Sequence, residues 1–372
     1  MNRRRFPHGF KAVHEFPDLV PERFESLGVF RRFLVSRPGT APWILSTAAA
    51  LLLVAAGLTG CAGSKDARAS LTADSPPQPY MRVTRPDSNT VTLQIAARRF
   101  VPPKGSGPVI WLTGASHVGE SNYFSALQRH LDAQALVLFE GVGAKGKKMR
   151  FNPDEEASIQ HTMASSLGLV FQLSAIDYDR PHFRNSDLTI AQLQQLLAGG
   201  TSTNRAGSGA STKAGEEFQQ LLQIMDGSSF LGTLLHAGLK LIGSSPKLQA
   251  LTKVMLIEVL GQLKGDMSQL KGVPPEIQRL LEVIIRERNK VVFDDLKAEL
   301  RALSPPRSIS VFYGAGHMAD LEKLLRDELK YRPLDEIWLT AMTVNTRTAG
   351  LSNLEMEMLR SLIQWQMEAL QP

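Results

Sequence analysis

The chain has 372 residues, 43% of them apolar and 21% charged, which is ordinary for a folded protein and long enough for one large domain with appendages or for two domains. The net charge of +6 is unevenly placed: residues 1–60 hold 8 Lys+Arg against 4 Asp+Glu, leaving 34 against 32 for the rest, so the near-neutral remainder gives no electrostatic case for nucleic acid as a partner. The single cysteine, Cys61, excludes a disulfide framework within the chain and a thiolate zinc cluster.

In chain order, acidic residues (Glu15, Asp18, Glu22, Glu25) lie ahead of the basic cluster, unlike an ordinary leader, and a true start near Val29 would leave a leader of normal length. Arg31, Arg32 and Arg37 then precede an apolar run from Trp43 to Leu58 that ends Leu58-Thr59-Gly60-Cys61. A basic n-region, an apolar h-region and a small-residue site make residues 1–60 a secretory signal. The Leu-Thr-Gly-Cys ending resembles a bacterial lipobox, which implies that Cys61 becomes the lipidated, palmitate-bearing first residue of a membrane-anchored lipoprotein. The run spans about 16 residues where a crossing helix needs ~20; an uncleaved membrane anchor is the alternative. Either reading places the domain outside the cytoplasm, and Ala62 after the cysteine resembles lipoproteins bound for an outer membrane. Residues 61–90, with Ser, Ala, Asp and Pro, read as a flexible tether.

From residue 91 a single α/β domain is expected. Val91–Ala97 alternates as a strand, and Pro108–Thr113 and Ala135–Glu140 are short apolar runs that read as buried strands, with a helix over Asn122–Leu131 between them. Asn152-Pro153-Asp154 opens a helix with a cap, Pro at the first position and acid in the first turn; it runs to Leu167, with Gly168 as its stop. Val170–Tyr178 reads as a strand. Residues 187–303 are a helical insertion, interrupted by a Ser/Thr/Gly/Asn loop at 199–215 and ending in one long helix over Ile277–Leu303. Ser308–Tyr313 returns to strand, followed by a helix at Met318–Lys330, a strand at Asp335–Val344 and a helix at Asn353–Ala369. The pattern predicts a mostly parallel or mixed central sheet flanked by helices.

The chemistry-bearing feature is a repeated turn, Gly114-Ala115-Ser116-His117 and Gly314-Ala315-Gly316-His317, each after an apolar strand and before a helix. Ligands of open α/β sheets bind just beyond the C-terminal strand ends. There glycine permits a sharp turn, and neutral imidazole serves as metal ligand or general base. Two such histidines converge if their strands are neighbours; otherwise they are unrelated turn residues. Glu140, at the tip of an apolar strand, is placed to bind a metal or activate water, or else is a solvated strand-end charge. Arg288 falls with Ile277, Leu281, Ile284 and Val292 on one helical face, where it would orient Glu140, stabilise an oxyanion, or snorkel at the stripe's edge. Gly141, Gly143 and Gly146 match G-x-G-x-x-G, but no helix opens at that run, so it reads as a basic loop rather than a nucleotide site. Ser116 carries no independent sign of being a nucleophile, and a Gly-x-Ser-x-Gly elbow and a His-Glu-x-x-His helix are both absent.

Taken together, Gly114 to His117 with Gly119, Leu138-Phe139-Glu140-Gly141, Glu287-Arg288-Asn289 and Tyr313 to Met318 resemble the motifs of the TraB, PrgY and GumN proteins, which share a domain with the Tiki proteins. The segments Gln172–Tyr178 and Asp187–Thr189 also look like bacterial members, and the resemblance covers about residues 90–345. Some Tiki-type relatives are described as metal-dependent proteases. The resemblance therefore implies a metal-dependent hydrolase, a peptidase-like enzyme, with His117, His317 and Glu140 on a divalent metal ion and Glu140 and Arg288 in catalysis. The substrate would be a peptide or small molecule. A non-catalytic lipoprotein that sequesters such a ligand in the same cleft is the alternative.

Overall fold

The computed structural model describes residues 77–103, 105–142, 159–197, 230–262 and 281–368. The leader, Cys61, the glycine run beyond Val142, the opening of the helix expected at Asn152 and the 199–215 loop lie outside the described residues. Among the described residues no helix is long and apolar enough to cross a membrane.

The fold is α/β, a mixed seven-stranded sheet flanked by helices. Its spine is β2 (Thr90–Val101), a strand as expected, which is buried on both faces over most of its length and runs past Ala97. β9 (Arg332–Asn345) pairs antiparallel along its whole length. β1 (Met81–Asp87) pairs with the first half of β2, and β3 (Val109–Ala115) with the second, both antiparallel. From β3 the sheet continues in parallel through β8 (Ser308–Gly314), β5 (Leu136–Phe139) and β7 (Phe183–Asn185). The short apolar runs are the interior strands because both of their faces are covered.

α1 (Ser121–Asp132) links β3 to β5 and buries Tyr123, Phe124, Leu127 and Leu131, one face at helical spacing. At roughly 1.5–3 kcal/mol per buried large apolar side chain, that face alone holds the crossover on the sheet. The chain then passes through α2 (Ile159–Ser166), the two-residue β6 (Val170–Phe171), α3 (Gln172–Ala175) and β7. Gly168 ends α2 with φ +62°, the left-handed conformation that suits its role as a stop. α4 (Ile190–Leu197), α5 (Phe230–Gly243), α6 (Pro246–Gly261), a π-helical segment (Glu282–Glu287) and α7 (Arg288–Leu300) form the helical part between the two halves of the sheet. β8 then enters between β3 and β5, and α8 (Met318–Asp327), β9 and α9 (Asn353–Glu368) complete the domain.

Four sequence expectations are corrected. The tether does not extend to residue 90: Tyr80 is buried and Met81–Asp87 is a strand. Its anchor is Arg98, fully buried, which donates to Glu322 at 2.6 Å, to Glu336 at 2.7 Å and to the carbonyls of Gln78 and Pro79. The same ion pairs explain why β2 runs through Arg98, a charge that looks like a strand end until its partners are seen. Val170–Tyr178 is not a strand of the main sheet; only Val170–Phe171 is strand, pairing antiparallel with β4 (Val118–Gly119) in a separate ribbon. The third parallel connection is made instead by β7, whose three residues are too short to show a period. The expected long helix over Ile277–Leu303 runs on to Leu300 in its described part, but it is not regular α-helix throughout: the segment before Arg288 is π-helical.

Candidate functional site

β3 and β8 are parallel neighbours with Ala115 opposite Gly314, so both Gly-Ala-x-His turns leave the same edge of the sheet. β5 flanks β8 on its other side, and the Glu140 N–H donates to the Phe312 carbonyl at 3.0 Å. Glu140 therefore emerges beside Gly314, whose N–H donates to Glu140 Oε2 at 2.7 Å. His317 Nε2 lies 3.8 Å from Glu140 Oε1. Arg288 Nη2 donates to the same Oε1 at 2.7 Å. A Cβ added to Gly314 would lie 3.3 Å from His117 Nε2 and 3.4 Å from Glu140 Oε2. All four predicted residues thus meet around one carboxylate.

The two glycines act differently from the expectation of a sharp turn. Neither has positive φ; Gly314 sits at −49°. Gly314 keeps the space between His117 and Glu140 open. A side chain on Gly114 would press on Ala96 O and Ile95 Cγ2, each at 3.1 Å. Close approach, not backbone freedom, requires them.

Arg288 reaches the site through the π segment. A six-residue stretch with i→i+5 hydrogen bonds shifts the phase of the helix. After it, Arg288 and Asn289 are consecutive and both buried. Arg288 also grips Asp187, with Nε on Oδ1 at 3.0 Å and Nη2 on Oδ2 at 2.6 Å. Asp187 is fully buried and accepts further bonds from the N–H groups of Gly141 (2.9 Å) and Leu188 (2.7 Å). Two carboxylates therefore share one guanidinium. Burial opposes the charge on Glu140, but Arg288, then His317 and His117, and the Gly314 N–H hold it well below the usual carboxylate range.

Each histidine is held by a side-chain amide. His317 Nδ1 meets Asn289 Oδ1 at 2.8 Å, and His117 Nδ1 meets Gln172 Oε1 at 3.1 Å. Ser116 donates its hydroxyl to the Val118 carbonyl, in keeping with a turn residue rather than a nucleophile. His317 is pushed down to about 4 by burial, against the pull of Glu140, with Arg288 and His117 adding to the effect. His130, under β3 and beside Trp111, is also pushed down to about 4 by burial. Both are neutral in the fold and take up a proton near 6.5 once unfolded. Their stabilisation is complete above 6.5 and is lost as the pH falls toward 4, on the order of 3 kcal/mol each. The depressed Glu140 adds a further loss below 4.5. Urea unfolding between pH 7 and 4 is expected to show stability falling steadily; a flat profile over that range would contradict the burial of both rings.

Sequence reasoning missed Asp187, Asn289 and Gln172 as site residues. Asp187 carried the same signal as Glu140, an acid just past a strand, but β7 was not legible. Asn289 and Gln172 stood inside quoted motifs without an evident partner, because a carboxamide is informative only once the histidine it faces is known.

Fold and site together define an α/β protein with a buried histidine–carboxylate–guanidinium cluster at the C-terminal edge of its parallel strands. Compared with protein-family models, curated proteins and solved structures, the chain matches none.

Proposed function

We propose that this chain is a divalent-metal-dependent hydrolase acting on peptide bonds, as the resemblance to TraB and Tiki-type proteins implies, held outside the cytoplasm by lipid on Cys61, as the lipobox-like Leu-Thr-Gly-Cys ending implies. The observation that carries the reading is the charge deficit at the site. Glu140 and Asp187 bring two negative charges, Arg288 answers one, and the adjacent His317 is neutral. The site keeps Glu140 ionised with one net negative charge left beside the two imidazoles, which favours a cation there.

The residues fit such an ion in kind. His117, His317 and Glu140 would hold it, a two-imidazole, one-carboxylate donor set suited to zinc and its neighbours. Gly314 leaves the cradle that a methyl group would fill. Among the described residues no three of His, Cys, Asp and Glu already stand at coordinating spacing, so an ion would have to draw these groups together. When bound, an ion of this class supplies Lewis acidity toward a carbonyl and acidifies water. Arg288 keeps Glu140 ionised and fixed in place. Its Nε and Nη2 are engaged by carboxylates, which supports a positioning role over that of an oxyanion donor.

The test is hydrolysis of a mixed peptide library by the purified protein, after chelation and after return of Zn²⁺, Mn²⁺ or Co²⁺. Cleavage that disappears on chelation and returns with one ion is the expected result. Ion binding without cleavage would leave the sequestering lipoprotein in its place. In the same assay Gly314→Ala, which puts a methyl between His117 and Glu140, is expected to lower kcat/KM roughly tenfold while far-UV circular dichroism is unchanged.

A further inference from the structure

We infer that Gln172 and Asn289 are positioning residues that lock both site histidines in the tautomer with hydrogen on Nδ1, leaving both Nε2 lone pairs turned toward Glu140. The partners of the Asn289 amide fix the direction of its bond. Asn289 Nδ2 donates to Asp320 Oδ2 at 2.8 Å and to the His317 carbonyl at 3.2 Å. Its Oδ1 is therefore the acceptor for His317, and Nδ1 must carry the proton. Gln172 is oriented with Nε2 donating to the Tyr178 hydroxyl at 2.8 Å and Oε1 toward His117 Nδ1, and in that orientation the same tautomer follows there.

The arrangement is doubled. Each carboxamide residue also binds the main chain of its histidine: the Gln172 N–H donates to the His117 carbonyl at 2.8 Å, as Asn289 Nδ2 does to that of His317. Two irregular features of the fold acquire a purpose from this. The β4–β6 ribbon pairs Val118 with Phe171 and so brings Gln172, the next residue, against His117. The π segment puts Arg288 and Asn289 side by side on the site, one toward Glu140 and the other toward His317. A histidine whose second nitrogen is fixed by a hydrogen bond presents the first at a defined angle, which is how metal-bound imidazoles are commonly oriented. The link to a metal rests on the proposed function; the tautomers do not.

The experiment uses the full chain labelled with ¹⁵N-histidine, without added metal, and reads each ring by long-range ¹H–¹⁵N correlation, with His117→Ala and His317→Ala assigning the signals. Both rings are expected to show protonated Nδ1 and bare Nε2. The opposite tautomer, or a mixture, at either assigned ring of the unmodified protein overturns the inference for that ring. Gln172→Leu is expected to let His117 exchange between tautomers, while Gln172→Glu, which keeps an acceptor, restores the lock; an unchanged His117 signal in Gln172→Leu refutes the role of Gln172. As a second arm, Co²⁺ affinity is expected to fall about 10–100-fold in Gln172→Leu and to be retained more fully in Gln172→Glu. If the tautomers are as stated and the unmodified protein takes up no Co²⁺, the metal reading fails and the positioning stands.

Discussion

Replacing Arg288 by methionine is expected to lower the stability of the fold by ~3–5 kcal/mol, read as a fall in the urea midpoint at unchanged slope. Methionine fills much of the same volume, so the penalty is mainly one of charge. Glu140 and Asp187 remain, each still bound by main-chain N–H groups, from Gly314 on one side and from Gly141 and Leu188 on the other, but without a cation between them. Both carboxylates are nearly inaccessible to water: side-chain exposure is 14% for Glu140 and 0% for Asp187. The charge origin of the loss has a signature of its own. Glu140→Gln added to Arg288→Met removes one of the two stranded charges and is expected to recover part of the stability, so the double variant is more stable than the single. Acid should narrow the gap as well, because Arg288 is the strongest influence holding Glu140 ionised, and without it the carboxyl takes a proton at higher pH. Lysine at 288 keeps the charge but not the fork that meets two carboxylates at once, and should recover only part of the loss.

The parts of the molecule that could be read from sequence are those where one local signal suffices. β3, β5 and β8 are short apolar runs with both faces buried, and α1 and α8 carry an apolar stripe at helical spacing; each stands at or within a few residues of its expected position. The convergence of His117, Glu140 and His317 followed from a single further condition, that the two turns leave neighbouring strands, and β3–β8 pairing meets it. What could not be read depends on contacts distant in sequence. β1 looks like tether because its strand character rests on pairing with β2 and on Arg98, Glu322 and Tyr80 meeting across the sheet. The π segment leaves no composition signal; its residues Glu282–Glu287 fit an ordinary helix, and only the burial of both Arg288 and Asn289 betrays the extra residue in the turn. Asp187 was hidden for the same reason as β7, a strand three residues long.

His117 and His317 give the sharpest separation of chemistry from architecture, because they share a proposed role and differ in burial. Under the hydrolase reading, alanine at either position is expected to reduce metal-dependent peptide cleavage about 100-fold or more. The stability costs should differ. His117 is half-buried, so water can replace its ring against Gln172 Oε1, and its loss is expected to cost less than about 1 kcal/mol. His317 is buried at 6% exposure, its ring meets Tyr313 edge-on at 5.2 Å, and its removal leaves Asn289 Oδ1 unpaired inside the fold. That change is expected to cost about 1–3 kcal/mol beyond the lost packing. Equal losses of activity with unequal losses of stability are what a shared site with two different supports predicts. If His117→Ala cleaves peptides as fast as the unmodified protein, the pairing of the two turns is architectural, and the reaction, if there is one, belongs to another set of residues.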